Sequence, residues 1–227
     1  MREHQEIASG LREVRDRVAD AAKRSSRAPD SIRLVLASKT QPIDAIRAAY
    51  DAGARDFGEN YVQEAVSKRE QLPGLNATWH LIGHLQTNKI KLAANTFDII
   101  QTLDSIRLAD ALARSGSPSM RVLIEVNLGA EASKSGIAIG DAEKLIESAR
   151  DKLEIEGLMT IAPQSKSVGD ARRYFAELRE LRDRLVASTG LALSELSMGM
   201  TEDFEMAIEE GATMVRIGRA VFGERRK

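Results

Sequence analysis

Apolar residues recur at Ile7, Leu11, Val14 and Val18, three or four apart, with arginines and carboxylates filling the positions between them. That spacing predicts an amphipathic helix over residues 3–27, with one apolar stripe packed and the other faces in water. Ala28-Pro29-Asp30 ends it, because a proline cannot continue a helix. The pattern then changes. Ile32-Arg33-Leu34-Val35-Leu36-Ala37 is a compact, mostly apolar run that reads as a buried strand, and it ends in Ser38-Lys39-Thr40. Pro42 opens a helix that runs to about Ala52, and Gly53 stops it. The alternation continues. Further strands are predicted near 55–58, 79–82, 98–101, 121–127, 154–159, 193–197 and 213–217, which with the first makes eight.

Strands that alternate with helices imply βαβ units and a parallel sheet. Eight such units close into a barrel. The expected fold is therefore α/β: a single (β/α)8 TIM-type barrel spanning residues 1–227 as one domain, with an extra N-terminal helix (residues 1–28) packed on it. The structural rival is an open doubly wound sheet. No glycine-rich dinucleotide fingerprint follows any strand, which favours the barrel. A weak internal echo fits it too. Ala49-Tyr50-Asp51-Ala52-Gly53-Ala54 precedes Arg55-Asp56-Phe57-Gly58, and Ile208-Glu209-Glu210-Gly211-Ala212 precedes Met214-Val215-Arg216-Ile217-Gly218. Ser115-Gly116-Ser117-Pro118-Ser119 reads as a helix-to-strand loop, not as a domain boundary.

Composition narrows the function. A net charge of -1 over 227 residues provides no general field for nucleic acid or an anionic membrane, so neither is an expected partner. The chain has no cysteine, which excludes disulfides and thiolate chemistry. The start, MREHQEIASGLREV, carries charges of both signs and no apolar segment, so it does not read as a signal peptide. No run approaches the roughly 18 apolar residues needed to span a bilayer. The expected compartment is the cytoplasm.

In a barrel, working residues sit at the C-terminal strand ends. Those ends hold Lys39, Glu59-Asn60, Gly83-His84, Glu125-Val126-Asn127, Met159-Thr160, Ser197-Met198-Gly199-Met200-Thr201, and Arg216 with Gly218-Arg219. Lys39 is the sharpest signal. Desolvation at a buried strand end lowers a lysine pKa, and a neutral amine can form an imine with an aldehyde. The bland alternative is a lysine that reaches solvent. The loops after strands 7 and 8 look like a phosphate site, where glycines let backbone N–H groups approach the oxygens. The alternative there is tight turns, with Thr201 as an ordinary N-cap before a helix starting at Thr201-Glu202-Asp203. Arg216 interrupts an apolar strand, and a buried arginine needs a partner, either an acid or a ligand. His80 and His84 lie four apart across a strand end and Gly83, with no carboxylate cluster, so no metal site is expected. No GxSxG elbow is present.

Several blocks carry a family resemblance. They are Ala37-Ser38-Lys39-Thr40, Asp56-Phe57-Gly58-Glu59-Asn60-Tyr61-Val62-Gln63-Glu64, His80-Leu81-Ile82-Gly83-His84-Leu85-Gln86-Thr87-Asn88-Lys89, Gly157-Leu158-Met159-Thr160-Ile161, Leu196-Ser197-Met198-Gly199-Met200-Thr201 and Val215-Arg216-Ile217-Gly218-Arg219-Ala220-Val221-Phe222-Gly223. In that order the chain resembles the pyridoxal phosphate homeostasis proteins, small barrels that bind pyridoxal 5′-phosphate (PLP) and are related to the barrel domain of alanine racemase. The resemblance implies a Schiff base on Lys39, a phosphate held by Ser197 and the Gly218-Arg219 amides, and Arg216 near the pyridine nitrogen. A cation there disfavours ring protonation, which makes PLP a weaker electron sink. With the strand-end reading, the expected cofactor contacts are Lys39, Asn60, His84, Met159, Ser197, Gly199, Arg216, Gly218 and Arg219. Two positions depart from the family pattern. Thr201 stands where serine is common, and Arg219 stands where many members carry threonine.

Related racemases set a tyrosine from a second, all-β domain against the cofactor. After strand 8 this sequence has only Ala220 to Lys227, and Tyr50, Tyr61 and Tyr174 fall in helical patterns. The expectation is a PLP carrier or buffer with little or no turnover, acting as a monomer and delivering PLP to PLP-dependent apo-enzymes. A slow PLP-dependent amino-acid racemase is the alternative. A Schiff-base aldolase on a sugar phosphate would also need a lysine and a phosphate site. Lys134 is a candidate secondary lysine for aldehyde.

Overall fold

The computed structural model describes residues 3–115, 120–129, 135–163 and 168–224, without the side chains of 168–170. Eight parallel strands close into a barrel in chain order. They are β1 (Arg33–Ala37), β2 (Asp56–Glu59), β3 (Thr78–Leu81), β4 (Ile99–Leu103), β5 (Arg121–Glu125), β6 (Glu154–Met159), β7 (Glu195–Ser197) and β8 (Met214–Ile217). The last strand returns to the first, with Leu34 beside Val215 and Val35 beside Arg216. All eight expected strands are present. The fifth stops at Glu125, and Val126 forms only an isolated bridge to Ile137. The seventh starts late because Leu193 has φ +38, a left-handed backbone that no strand accepts.

The helices are α1 (His4–Arg24), α2 (Ile43–Asp51), α3 (Val62–Gln71), α4 (Ile90–Thr96), α5 (Ile106–Ala113), α6 (Ala142–Ala149), α7 (Val168–Thr189), α8 (Phe204–Glu209) and α9 (Arg219–Phe222). The N-terminal α1 buries Ile7, Leu11, Val14 and Val18, the stripe read from the sequence. It packs on α2, α8 and α9. Arginines on it and just after it also cap neighbouring helices. Arg15 donates to the carbonyls of Ala52 and Gly53 just past α2, at 2.9 and 2.8 Å. Arg27 donates to Ile208 and Ala212 at the end of α8, at 3.1 and 2.7 Å. These carbonyls lie at helix C-terminal ends, where a cation suits the negative end of the helix. Among the described residues no helix is long and apolar enough to cross a membrane.

The large apolar core lies between the barrel and its helices. Inside the barrel, Val35, Leu123, Met159 and Met214 form a separate buried cluster. Alternation along each strand then places the next inward residue one step nearer the C-terminal mouth. On β8 that residue is Arg216. At one point two strands come too close for any side chain. A Cβ added to Gly157 would fall on the Glu195 carbonyl of β7, a backbone atom that cannot swing aside. Gly157→Ala should therefore cost about 2 kcal/mol, read as a lower denaturation midpoint with an unchanged slope.

Candidate functional site

The C-terminal ends of β1, β2, β3 and β8, with the loops after β6 and β7, line one cavity of about 950 Å³. Lys39 lies two residues past β1 on the inward side and is half-buried on the cavity wall. Its backbone is tied on both sides. The Ser38 hydroxyl donates to Glu59 Oε1 at 2.6 Å, and the Ser38 carbonyl accepts from Lys68 Nζ at 2.7 Å. On the other side, the Thr40 N–H donates to Glu64 Oε1 at 2.6 Å. Lys68 Nζ also donates to Glu59 Oε1 at 2.8 Å and Glu64 Oε1 at 2.6 Å, so its three protons are used. Thr40 needs such a clamp because its φ of +64 is a left-handed backbone, worth roughly 1–2 kcal/mol of strain for a residue with a Cβ. Glu59 is wholly buried, and burial raises its carboxyl pKa against the pull of Lys68 and Ser38. Its Oε2 has no hydrogen-bond partner among the described residues.

Arg216 lines the cavity from β8 and is 5% exposed. It donates to Ser197 Oγ and to the Thr160 carbonyl, both at 2.7 Å. Burial lowers its pKa to about 10, with Glu125 and Asp203 opposing the shift, so it stays charged at neutral pH. Glu125, at the end of β5, is pushed up to about 7, first by burial and then by Asp104, with Arg216 opposing.

The loop after β7 turns at Gly199, whose φ of +90 and close neighbours, Phe204 Cα at 2.9 Å and Ala207 Cβ at 2.6 Å from an added Cβ, admit only glycine. The helix expected from Thr201 begins at Phe204 instead. Asp203 Oδ1 accepts the Met200 N–H at 2.6 Å and closes a turn over 200–203 first. Thr201 lies on the cavity wall. Opposite it, Gly218 precedes α9, and a Cβ there would come within 3.3 Å of the Ala37 carbonyl. Arg219 reaches the cavity rim, where its guanidinium meets Glu202 at 2.9 Å and Glu224 at 3.7 Å.

Of the expected contacts, Lys39, Asn60, Arg216, Gly218 and Arg219 line this cavity together. Met159 lies deeper, in the buried apolar cluster. Ser197 is wholly buried beneath Arg216, and its hydroxyl donates to Gln101 Oε1 at 2.7 Å. Gly199 shapes the loop from behind. His84 faces a separate groove of about 490 Å³, with Nδ1 3.5 Å from Asp104 Oδ2. Lys134 lies outside the described residues, as do 116–119 of the expected loop. Tyr61 is exposed just before α3, not within a helix. Among the described residues no tyrosine lines the cavity, and no cluster of His, Asp and Glu is placed to hold a metal ion.

Sequence reasoning missed the Glu59–Lys68–Glu64 clamp and the buried Gln101 and His80. The signal for the last two was present, since each is a polar residue at an inward position of a strand. The set as a whole has one amine on the wall, a fixed cation in the floor, and a hydroxyl with two close-packed glycine turns opposite. That chemistry suits a carbonyl compound that also carries an anionic group.

The family model for the alanine racemase N-terminal domain matches residues 11–226. A pyridoxal phosphate homeostasis protein from Aquifex aeolicus is 43% identical over 221 residues, covering 95% of this chain and 97% of its own. Among solved structures, PipY of Synechococcus elongatus with PLP bound superposes with a TM-score of 0.85 at 37% identity, over 96% of this chain and all of that one. Alanine racemase from Corynebacterium glutamicum shares the fold at a TM-score of 0.77 and 17% identity, over 98% of this chain and 62% of that one.

Proposed function

Because the chain belongs to the pyridoxal phosphate homeostasis protein family, we propose that it binds PLP through Lys39 and acts as a carrier or buffer of that cofactor, with little or no turnover. The observation that carries this reading is that Lys39, Thr201, Arg216 and Gly218 line one cavity. The donor set fits the cofactor. PLP supplies an aldehyde for a lysine amine and a ring that withdraws electrons. Lys39 offers the amine, held by its clamped backbone. Thr201 offers a hydroxyl to the phosphate, together with the backbone at Gly218-Arg219. The Arg219 side chain is already engaged by Glu202 and Glu224. Arg216 keeps its positive charge at neutral pH, and beside a bound ring that charge would disfavour protonation of the pyridine nitrogen.

Among the described residues no tyrosine hydroxyl lines the cavity to serve as a second acid/base group, and a carrier needs none. The carrier acts in the cytoplasm as a monomer, and PLP-dependent apo-enzymes are its recipients.

Lys39→Ala should weaken PLP binding about 100-fold in equilibrium dialysis, since only noncovalent contacts remain. With α-deuterated amino acids the PLP-loaded protein should show no exchange above free PLP. Rapid exchange that vanishes in Lys39→Ala would instead establish a racemase-type enzyme.

A further inference from the structure

Beneath the cavity, a file of hydrogen bonds crosses the barrel interior. Asp56 Oδ1 lies 3.0 Å from His80 Nε2, and His80 Nδ1 lies 2.9 Å from Gln101 Nε2. Gln101 Oε1 accepts from the Ser197 hydroxyl at 2.7 Å, and Ser197 Oγ accepts from Arg216 at 2.7 Å. The five residues come from β2, β3, β4, β7 and β8. His80, Gln101 and Ser197 are wholly buried. Barrel interiors are ordinarily filled with branched apolar residues.

One proton arrangement uses every link in this file. A guanidinium can only donate, so Ser197 accepts from Arg216 and gives its own proton to Gln101 Oε1. That fixes the amide, with Nε2 toward His80. An amide N–H can only donate, so Nδ1 is the acceptor. The ring proton then sits on Nε2 and goes to the Asp56 carboxylate. Burial keeps this ring neutral by lowering its pKa, although Asp56 pulls the other way. Asp56 itself lies at the N-terminal mouth, 3.8 Å from Arg33. A satisfied buried network of this kind rigidifies its members.

We propose that Gln101 and His80 are positioning residues: through the Ser197 hydroxyl they hold Arg216 in the one orientation it presents to the cavity, with Asp56 as the far anchor. The effect on PLP rests on the function proposed above, whereas the file itself does not. Two Arg216 nitrogens are committed to Ser197 and Thr160, so its remaining N–H bonds are the ones available to a ligand.

The test has two arms. Nitrogen-15 spectra of PLP-free protein should show neutral His80 protonated at Nε2 and a slowly exchanging Arg216 Nε–H. In Gln101→Met the His80 Nδ1 signal should shift as that nitrogen loses its donor, while Nε2 stays protonated toward Asp56, and Arg216 exchange should quicken at least tenfold. In the second arm, Gln101→Met should bind PLP about tenfold more weakly, with a displaced absorption band, while borohydride still traps Lys39. His80→Asn keeps an acceptor opposite Gln101 and should recover most of the affinity, whereas His80→Leu should not.

A merely structural role would lower the melting temperature and leave the band and Arg216 exchange in place. Nδ1-protonated His80 in the parent would overturn the proposal. So would a Gln101→Met protein with affinity within twofold of the parent and an unmoved band. If Gln101→Met does not fold, the parent tautomer and the His80→Asn/His80→Leu contrast decide. If the parent itself takes up no PLP, the function reading fails, and the spectra of the PLP-free protein alone decide the positioning claim.

Discussion

Lys68→Met should destabilise the protein by about 3–5 kcal/mol at neutral pH, the cost of removing one partner from a buried ion pair. Lys68 is 5% exposed and sits between Glu59 and Glu64, 2.8 and 2.6 Å away. Without it, Glu59 is a wholly buried carboxylate beside a second carboxylate, with only the Ser38 hydroxyl left to it. The pH dependence has a definite sign. Burial already holds the folded-state pKa of Glu59 above its ordinary value. Such a group contributes stability below its unfolded pKa, and that contribution is lost as pH rises through the folded pKa. Removing Lys68 raises the folded value further. The gap between variant and parent in urea melts should therefore be small near pH 4.5 and widen toward pH 8. Lys68→Met/Glu59→Gln should recover part of the loss. A gap that narrows with rising pH would contradict this account of the clamp. The same lesion frees the Ser38 carbonyl next to Lys39, so PLP capture should also slow.

Glu125→Gln should do the opposite and stabilise the protein by about 3 kcal/mol above pH 8. Burial, aided by Asp104, pushes Glu125 to about 7 from an ordinary 4.5. Each unit of that shift is about 1.4 kcal/mol. Because the folded value is the higher one, the native state binds the extra proton between the two values, and the parent loses stability as pH rises from about 4.5 through 7. The residue is only 5% exposed, so solvent screening removes little of the effect. Glutamine mimics the protonated carboxyl and has no such loss. The difference in chemical denaturation should be near zero at pH 4.5 and grow steadily to pH 8. A flat difference across that range would show that Glu125 ionises freely.

The fold was legible because hydrophobic period is a local property, and runs such as Leu34-Val35-Leu36 and Val122-Leu123-Ile124 stand out between helical patterns. What failed was local too. Thr201-Glu202-Asp203 carries helix-start residues without a breaker, yet the Asp203 side chain folds back onto the Met200 N–H and delays the helix to Phe204. At the site, Lys39, Asn60, Arg216, Gly218 and Arg219 could be grouped because each lies at or just past a strand end at one mouth.

Depth and direction were harder to read. Ser197 pairs in register with Met159, one layer below the cavity, so its oxygen meets Arg216 from beneath and not a ligand from the side. His84 follows Gly83, and the turn carries it to the groove beside Asp104. Glu64 and Lys68 have the spacing of an ordinary exposed helix pair. Nothing in that spacing reveals that this face of α3 closes over the Lys39 turn.

The most direct test of the central claim is the absorption spectrum of the purified protein with added PLP, before and after borohydride, followed by peptide mapping. The expected result is a yellow band that borohydride bleaches, with the adduct on the peptide that contains Lys39. A protein that stays colourless and takes up no PLP, or an adduct that maps elsewhere, would contradict it.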